Sequence, residues 1–207
     1  MRAVSAYLGT VAVVAMAAAA GVRADSAALT VRLYNTAGIP ASELTAARRA
    51  AASILLDTGL TVTIRHCGRT GIPAAPVDTC DTRLTPTEVV VRIIDAPPIT
   101  TTLHADAYGV AYVVDETDRG WLATVFADRI ERAATRTGID PGTLLGRVMA
   151  HEVGHLLLGI GYHAAAGVMR AEWPDALISG AGGDWRFSRV ESARMHRRLV
   201  SDEFDPS

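Results

Sequence analysis

The chain has 207 residues, 49% of them hydrophobic, and a formal net charge of −2 in which every basic side chain is an arginine. That apolar content and length suffice for one folded core and exclude a disordered chain. Near-neutral charge with scattered arginines argues against nucleic acid as a partner.

In chain order, Met1-Arg2, an apolar stretch from Tyr7 to Ala20, and Gly21-Val22-Arg23-Ala24 have the form of an export signal cleaved after Ala24. The stretch is shorter than the roughly 20 residues a membrane span requires, and no cysteine near the cut offers a lipid anchor. Residues 25–207 are then a single domain, secreted or periplasmic and monomeric, with no membrane contact once the signal is removed. Leu29 to Tyr34 alternates apolar and polar positions as a strand does. A helix follows from Ser42 to Asp57, with Leu44, Ala47, Ala51, Ile54 and Leu55 on one face and Gly59 ending it. Thr61 to Arg65 is a second strand.

Cys67 to Pro86, rich in Gly, Pro, Thr and Asp, reads as a surface loop. In an oxidising compartment its two cysteines, Cys67 and Cys80, are expected to form a disulfide, worth about 3 kcal/mol in the chain-entropy account. Glu88 to Asp95 is a third strand, stopped by Pro97-Pro98. Tyr108 to Asp115 is a fourth, and Thr100 to Leu103 offers a fifth at an edge. Trp121 to Thr137 is predicted helical, closed by Gly138. Asp140-Pro141 opens another helix, running to Leu158 with Gly159 as its stop. After a loop containing Gly, Trp and Asp, Ser188 and Glu191 form a capping box for a last helix ending near Val200. This order predicts an α/β (α+β type) domain in which a mixed sheet packs against the helix of residues 141–158.

That helix carries His151-Glu152-Val153-Gly154-His155. Histidines four apart project from one helical face and can grip one ion. Glu152 beside the first can reach a metal-bound water, whose pKa zinc lowers, and act as its general base. Three ionisable groups in so apolar a helix are costly unless something pairs them, which favours a metal over two hydrogen-bonded core histidines. A catalytic zinc takes a third protein ligand. His163, just past Gly159-Ile160-Gly161-Tyr162, is the expected one, with Glu172 and Asp175 as alternatives. His66, His104 and His196 are expected to be surface or packing residues. Tyr162 or Tyr108 could donate a hydrogen bond to the tetrahedral intermediate, and nothing in the spacing selects between them.

These residues, with Gly159 and with Met169 in Gly167-Val168-Met169, resemble the metzincin clan of zinc endopeptidases. The intervals from His155 are four residues to Gly159 and eight to His163, against three and six in the clan's pattern, so the segment from Met149 to Trp173 looks like a bacterial variant. The resemblance implies one zinc ion on His151, His155 and His163, Glu152 as general base, and Met169 as the methionine of a turn beneath the metal. It also implies a zincin-like, mostly parallel five-stranded twisted sheet whose antiparallel edge strand, within Thr100 to Ala111, pairs with an extended peptide substrate. Arg65-His66-Cys67-Gly68 faintly resembles the cysteine switch of some metzincin pro-segments, but Cys80 gives this cysteine a partner inside the fold. The expected function is therefore a secreted zinc metalloendopeptidase. The competing reading is a non-catalytic zinc or peptide-binding module on the same fold, against which the intact Glu152 speaks. A zinc hydrolase of non-peptide substrates is a third.

Overall fold

The computed structural model describes residues 27–68, 80–96, 107–114, 119–159, 161–180 and 184–200. The export signal, the strand expected at Thr100 to Leu103 and His104 lie outside them. Among the described residues the order is β1 (Ala28–Asn35), α1 (Ala41–Leu56), β2 (Thr61–Cys67), β3 (Glu88–Ile94), β4 (Gly109–Val114), β5 (Arg119–Phe126), α2 (Ala127–Thr137), α3 (Pro141–Leu158), α4 (Asp175–Ser179) and α5 (Arg189–Val200). The strands form one sheet in the order β2-β1-β3-β5-β4. β1 runs parallel to β2 and β3, β3 parallel to β5, and only β4, at the edge, is antiparallel. This is the mixed, mostly parallel five-stranded sheet with an antiparallel edge that was expected.

Alternation decides which face of the sheet is the core. Leu29, Val31 and Leu33 of β1, Val89, Val91 and Ile93 of β3, and Ala123 and Val125 of β5 are all buried. Their period of two puts each set on one side of its strand. The helices cover that side: α1 buries the predicted stripe of Leu44, Ala47, Ala51, Ile54 and Leu55, and α3 is buried on almost every side. A helix apolar all round belongs at the centre of a domain, and α3 packs between α1 and the strands.

One strand of the sheet lies in a stretch read from the sequence as helix. Trp121 to Phe126 was expected to begin a helix, whereas these residues belong to β5 and the helix starts at Ala127. β5 lies between β3 and β4, and Ala123, Thr124, Val125 and Phe126 are each at most 1% exposed. A strand buried on both faces lacks the polar alternation of a half-buried one, and a short run of this kind satisfies a helical period as well as a strand's. No glycine or proline separates β5 from α2, because Phe126 makes the change itself with an extended backbone. The antiparallel edge is β4, so only its first residues fall within the expected Thr100 to Ala111. The short α4 lies in a stretch expected to be loop.

The opposite sheet face holds a buried charge network. Arg32 of β1 pairs with Glu88 of β3 at 2.6 Å, the two side chains being only 4% and 9% exposed. The same guanidinium donates to the carbonyls of Cys80, Thr82 and Arg83 and to the Thr82 hydroxyl, and the Tyr34 hydroxyl also donates to the Cys80 carbonyl. Cys67 at the end of β2 is bonded to Cys80, so disulfide and arginine together strap this segment across the sheet. Burial pushes the Glu88 carboxyl up, but hydrogen bonds from Arg32 and the Thr85 backbone, with the arginine charge, bring it below its ordinary value. Glu88→Ala leaves Arg32 buried without its counter-charge and should cost about 3 to 5 kcal/mol, read by urea unfolding. Because the folded pKa is depressed, the contribution is present above the ordinary carboxylate value of 4.5 and is lost as pH falls through the lower folded one. The gap between wild type and variant should therefore narrow in acid.

Candidate metal centre

α3 is started by its own sequence: the Asp140 carboxylate accepts from the Thr143 N–H at 2.7 Å, and Pro141 occupies the first turn. It ends at Gly159, whose φ of 103° is open to glycine and strained for other residues. Between these ends, one face presents His151 and His155 with their Nε2 atoms 3.0 Å apart.

The loop after α3 brings in the third histidine. Ala164 forms a bridge with Arg170, and its N–H donates to the Met169 carbonyl at 2.8 Å, folding residues 164–170 back on themselves. Val168 is held from its other side by the Arg186 carbonyl at 3.0 Å, and its own carbonyl accepts from Nδ1 of His151 at 2.8 Å. His163 consequently stacks on His151 with ring centroids 5.6 Å apart and meets His155 edge-on at 4.8 Å. Arg194 of α5 ties down the exit from the helix, donating to the Leu158 carbonyl at 3.0 Å with its guanidinium over the Tyr162 ring.

One ligand atom from each of the three histidines lies within 4.8 Å of the others. A carbonyl can only accept, so His151 carries its proton on Nδ1 and turns an Nε2 lone pair to the centre. Two nitrogens bound to one tetrahedral zinc stand roughly 3.3 Å apart, close to the spacing of His151 and His155. Burial pushes His151 down to about 4. It pushes His155 down to about 3, with the neighbouring His151 and His163 adding to the effect, and it lowers His163 too. At neutral pH all three are neutral imidazoles, the form that binds a metal. The donor set therefore fits zinc, with a fourth position left for water or substrate.

Glu152, next to His151 on α3, lies against the edge strand. It is 5% exposed, and burial raises its carboxyl to about 8. Its head lies against Gly109, the first residue of β4, where a Cβ would stand 2.7 Å from Oε1. Met169 is fully buried, and a Cβ on Gly154 would overlap its Sδ and lie 2.9 Å from Cε1 of Phe187. The methionine thus sits directly under the histidine-bearing turn of α3.

Of the alternative ligands, Asp175 is committed elsewhere: it forms a two-pronged pair with Arg136 at 2.8 and 2.9 Å. Glu172 is exposed and outside the cluster. His66 is buried in β2, and Nε2 of His196 meets the Thr58 carbonyl at 3.1 Å, so both pack as expected. Tyr162 is drawn towards α5, where burial and then the charge of Glu191 raise its hydroxyl. Tyr108 stands on the cluster's side, 6.2 Å from Trp173, whose ring in turn meets His151 edge-on at 5.4 Å. The sequence reading did not assign Val168, Gly109, Phe187 or Arg194 to the site. A carbonyl leaves no mark in a sequence, and the roles of Phe187 and Arg194 arise only when distant segments meet. Gly109 opening a strand was the one visible signal, since glycine there often marks a close approach.

No protein-family model and no curated protein matches the sequence significantly. Solved structures do match. A zinc-dependent peptidase from Methanocorpusculum labreanum aligns with a TM-score of 0.52 at 14% identity, over 80% of this chain and 99% of that one. Archaemetzincin from Methanopyrus kandleri aligns with a TM-score of 0.51 at 17% identity, over 85% and 98%. The chain shares the fold of zinc-dependent peptidases.

The packing under the motif gives a test that needs no metal. Gly154→Ala forces Met169 and Phe187 out of their positions and should cost about 1 to 3 kcal/mol, measured by denaturant unfolding of the metal-free protein.

Proposed function

We propose that the chain is a secreted zinc-dependent endopeptidase of the metzincin type, acting as a monomer on peptide or protein substrates. The observation that carries this reading is the convergence of three neutral imidazoles from α3 and its return loop, with a buried carboxyl one residue from the first of them. His151, His155 and His163 would hold the ion, and Met169 forms the floor beneath. Bound there, zinc would acidify water and polarise a peptide carbonyl.

The remaining work belongs to the chain. Glu152 accepts a proton from the attacking water and returns it to the leaving amine. Its burial holds it near 8 in the absence of a cation, and a cation nearby favours its charged form, which a base requires. Among the described residues, β4 pairs with β5 on one side only. Its other side can bond an extended peptide along the backbone, with the cleaved bond near Gly109 and so near Glu152. Export is supported by the signal-like N-terminus and by the disulfide.

The purified protein should hold about one zinc per chain. Glu152→Gln should keep that metal and lose about 10²- to 10⁴-fold in peptide hydrolysis; a rate equal to wild type would refute the base. His163→Ala should weaken zinc binding at least tenfold in a chelator competition, and unchanged affinity would assign the third position to another residue. If zinc and peptide bind without turnover, the protein is a binding module.

A further inference from the structure

The layer between α3 and the sheet is open at one end. Leu156 packs against β5 at Gly120, where a Cβ would stand 2.5 Å from its methyl group. Beyond that contact lies a cavity of about 440 Å³, floored by Val89, Leu156, Leu157 and Leu199 and flanked by Leu84 and Pro86. Trp121 completes the wall, yet it is 53% exposed. It is the extra residue of β5 where the register slips opposite Tyr112 and Val113, and such a bulge re-aims a side chain. A large ring turned to solvent beside buried leucines marks an interaction surface. The mouth of the cavity is cationic. Arg83 and Arg198 border it, and Glu88, which also lines it, is paired with Arg32 at 2.6 Å and with Arg65 at 3.7 Å.

The sequence continues from α5 as Ser201-Asp202-Glu203-Phe204-Asp205-Pro206-Ser207, outside the described residues. We propose that this segment is the occupant of the cavity: Phe204 enters it beside Trp121, and Asp202, Glu203 and Asp205 meet Arg83 and Arg198. Reach, size and charge agree. α5 delivers the chain to the mouth, because Arg198 and Leu199 already line it. From Leu199 to Phe204 is roughly 17 Å of extended chain, enough to turn back over the opening. A cavity of about 150 Å³ admits a benzene ring, so this larger one has room for the phenyl group and part of its backbone. The segment carries the carboxylates of Asp202, Glu203 and Asp205 and no basic side chain, the complement of a mouth bordered by two arginines. Its attachment to α5 also keeps it at a high effective concentration, so a contact of modest intrinsic strength stays made. A second copy's segment or a small apolar carboxylate has the same chemistry without that proximity.

The test uses the full chain labelled with fluorophenylalanine, which reports on Phe126, Phe187 and Phe204; Phe204→Leu identifies the signal of interest. In fluorine NMR that signal should be displaced from the one given by a synthetic peptide of residues 202–207. It should return to the peptide position in Trp121→Ala and in Arg83→Glu, both of which alter exposed side chains. Phe204→Ala should lower the melting temperature by about 3 to 6 °C, as loss of one buried phenylalanine does in a domain of this size. A wild-type Phe204 signal at the peptide position would overturn the proposal, and so would a displaced signal indifferent to both variants. Displacement that vanishes on dilution would give the cavity to a second copy's segment and overturn the intramolecular arrangement. A free Phe204 together with a melting temperature raised by octanoate would give it to a small apolar carboxylate instead.

Discussion

The bond from His151 Nδ1 to the Val168 carbonyl joins the two parts of the candidate site. It orients the first histidine, fixes its tautomer and anchors the loop that carries His163 and Met169. It works because Val168 is itself held by Arg186 and because Ala164 and Arg170 close the loop on itself. Loss of any of these would free His163 to leave the cluster while His151 and His155 stayed on the helix. The pair is thus a property of α3 alone, and the trio is a property of the tertiary fold.

The same helix resolves an energetic conflict. α3 is apolar enough to lie at the centre of the domain, yet it buries Glu152 and almost buries His155. Burial without a charge partner drives the imidazoles down and the carboxyl up, so each group takes its neutral form. That is a tolerable state for folding, since no buried charge is left uncompensated. A cation at the histidines then favours a charged Glu152. The groups can therefore fold neutral, and the proposed base would be charged only beside a bound cation.

Much of this was readable in advance where one residue type acts within a single element. Asp140 and Pro141 at the start of α3, Gly159 at its end, the Ser188–Glu191 capping box and the apolar stripe of α1 all lie where local rules put them. The likeness of Cys67 and Cys80 to a bonded pair was also legible from compartment chemistry. What failed was β5, because a strand buried on both faces loses the alternation that identifies a strand. The partners of Arg32 were invisible for a different reason. Its acceptors include backbone carbonyls some fifty positions away in sequence, and nothing in a list of residues says that an arginine in a strand faces inwards.

The interval from His155 to His163 is the point at which sequence and structure inform each other most. A longer interval displaces a ligand only if the extra residues leave along the path of the helix. Here α3 continues until Leu158 before Gly159 turns it, and Gly161, with φ of 70°, turns the chain again. Arg194 holds both sides of this detour, the Leu158 carbonyl and the Tyr162 ring. The bridge between Ala164 and Arg170 then starts directly after His163. Because the chain is re-registered by that bridge rather than by the distance from the helix, the length of the preceding loop has little influence on where the third imidazole arrives. The departure in spacing is accommodated before His163, and α5, which supplies Arg194, holds the chain on both sides of it.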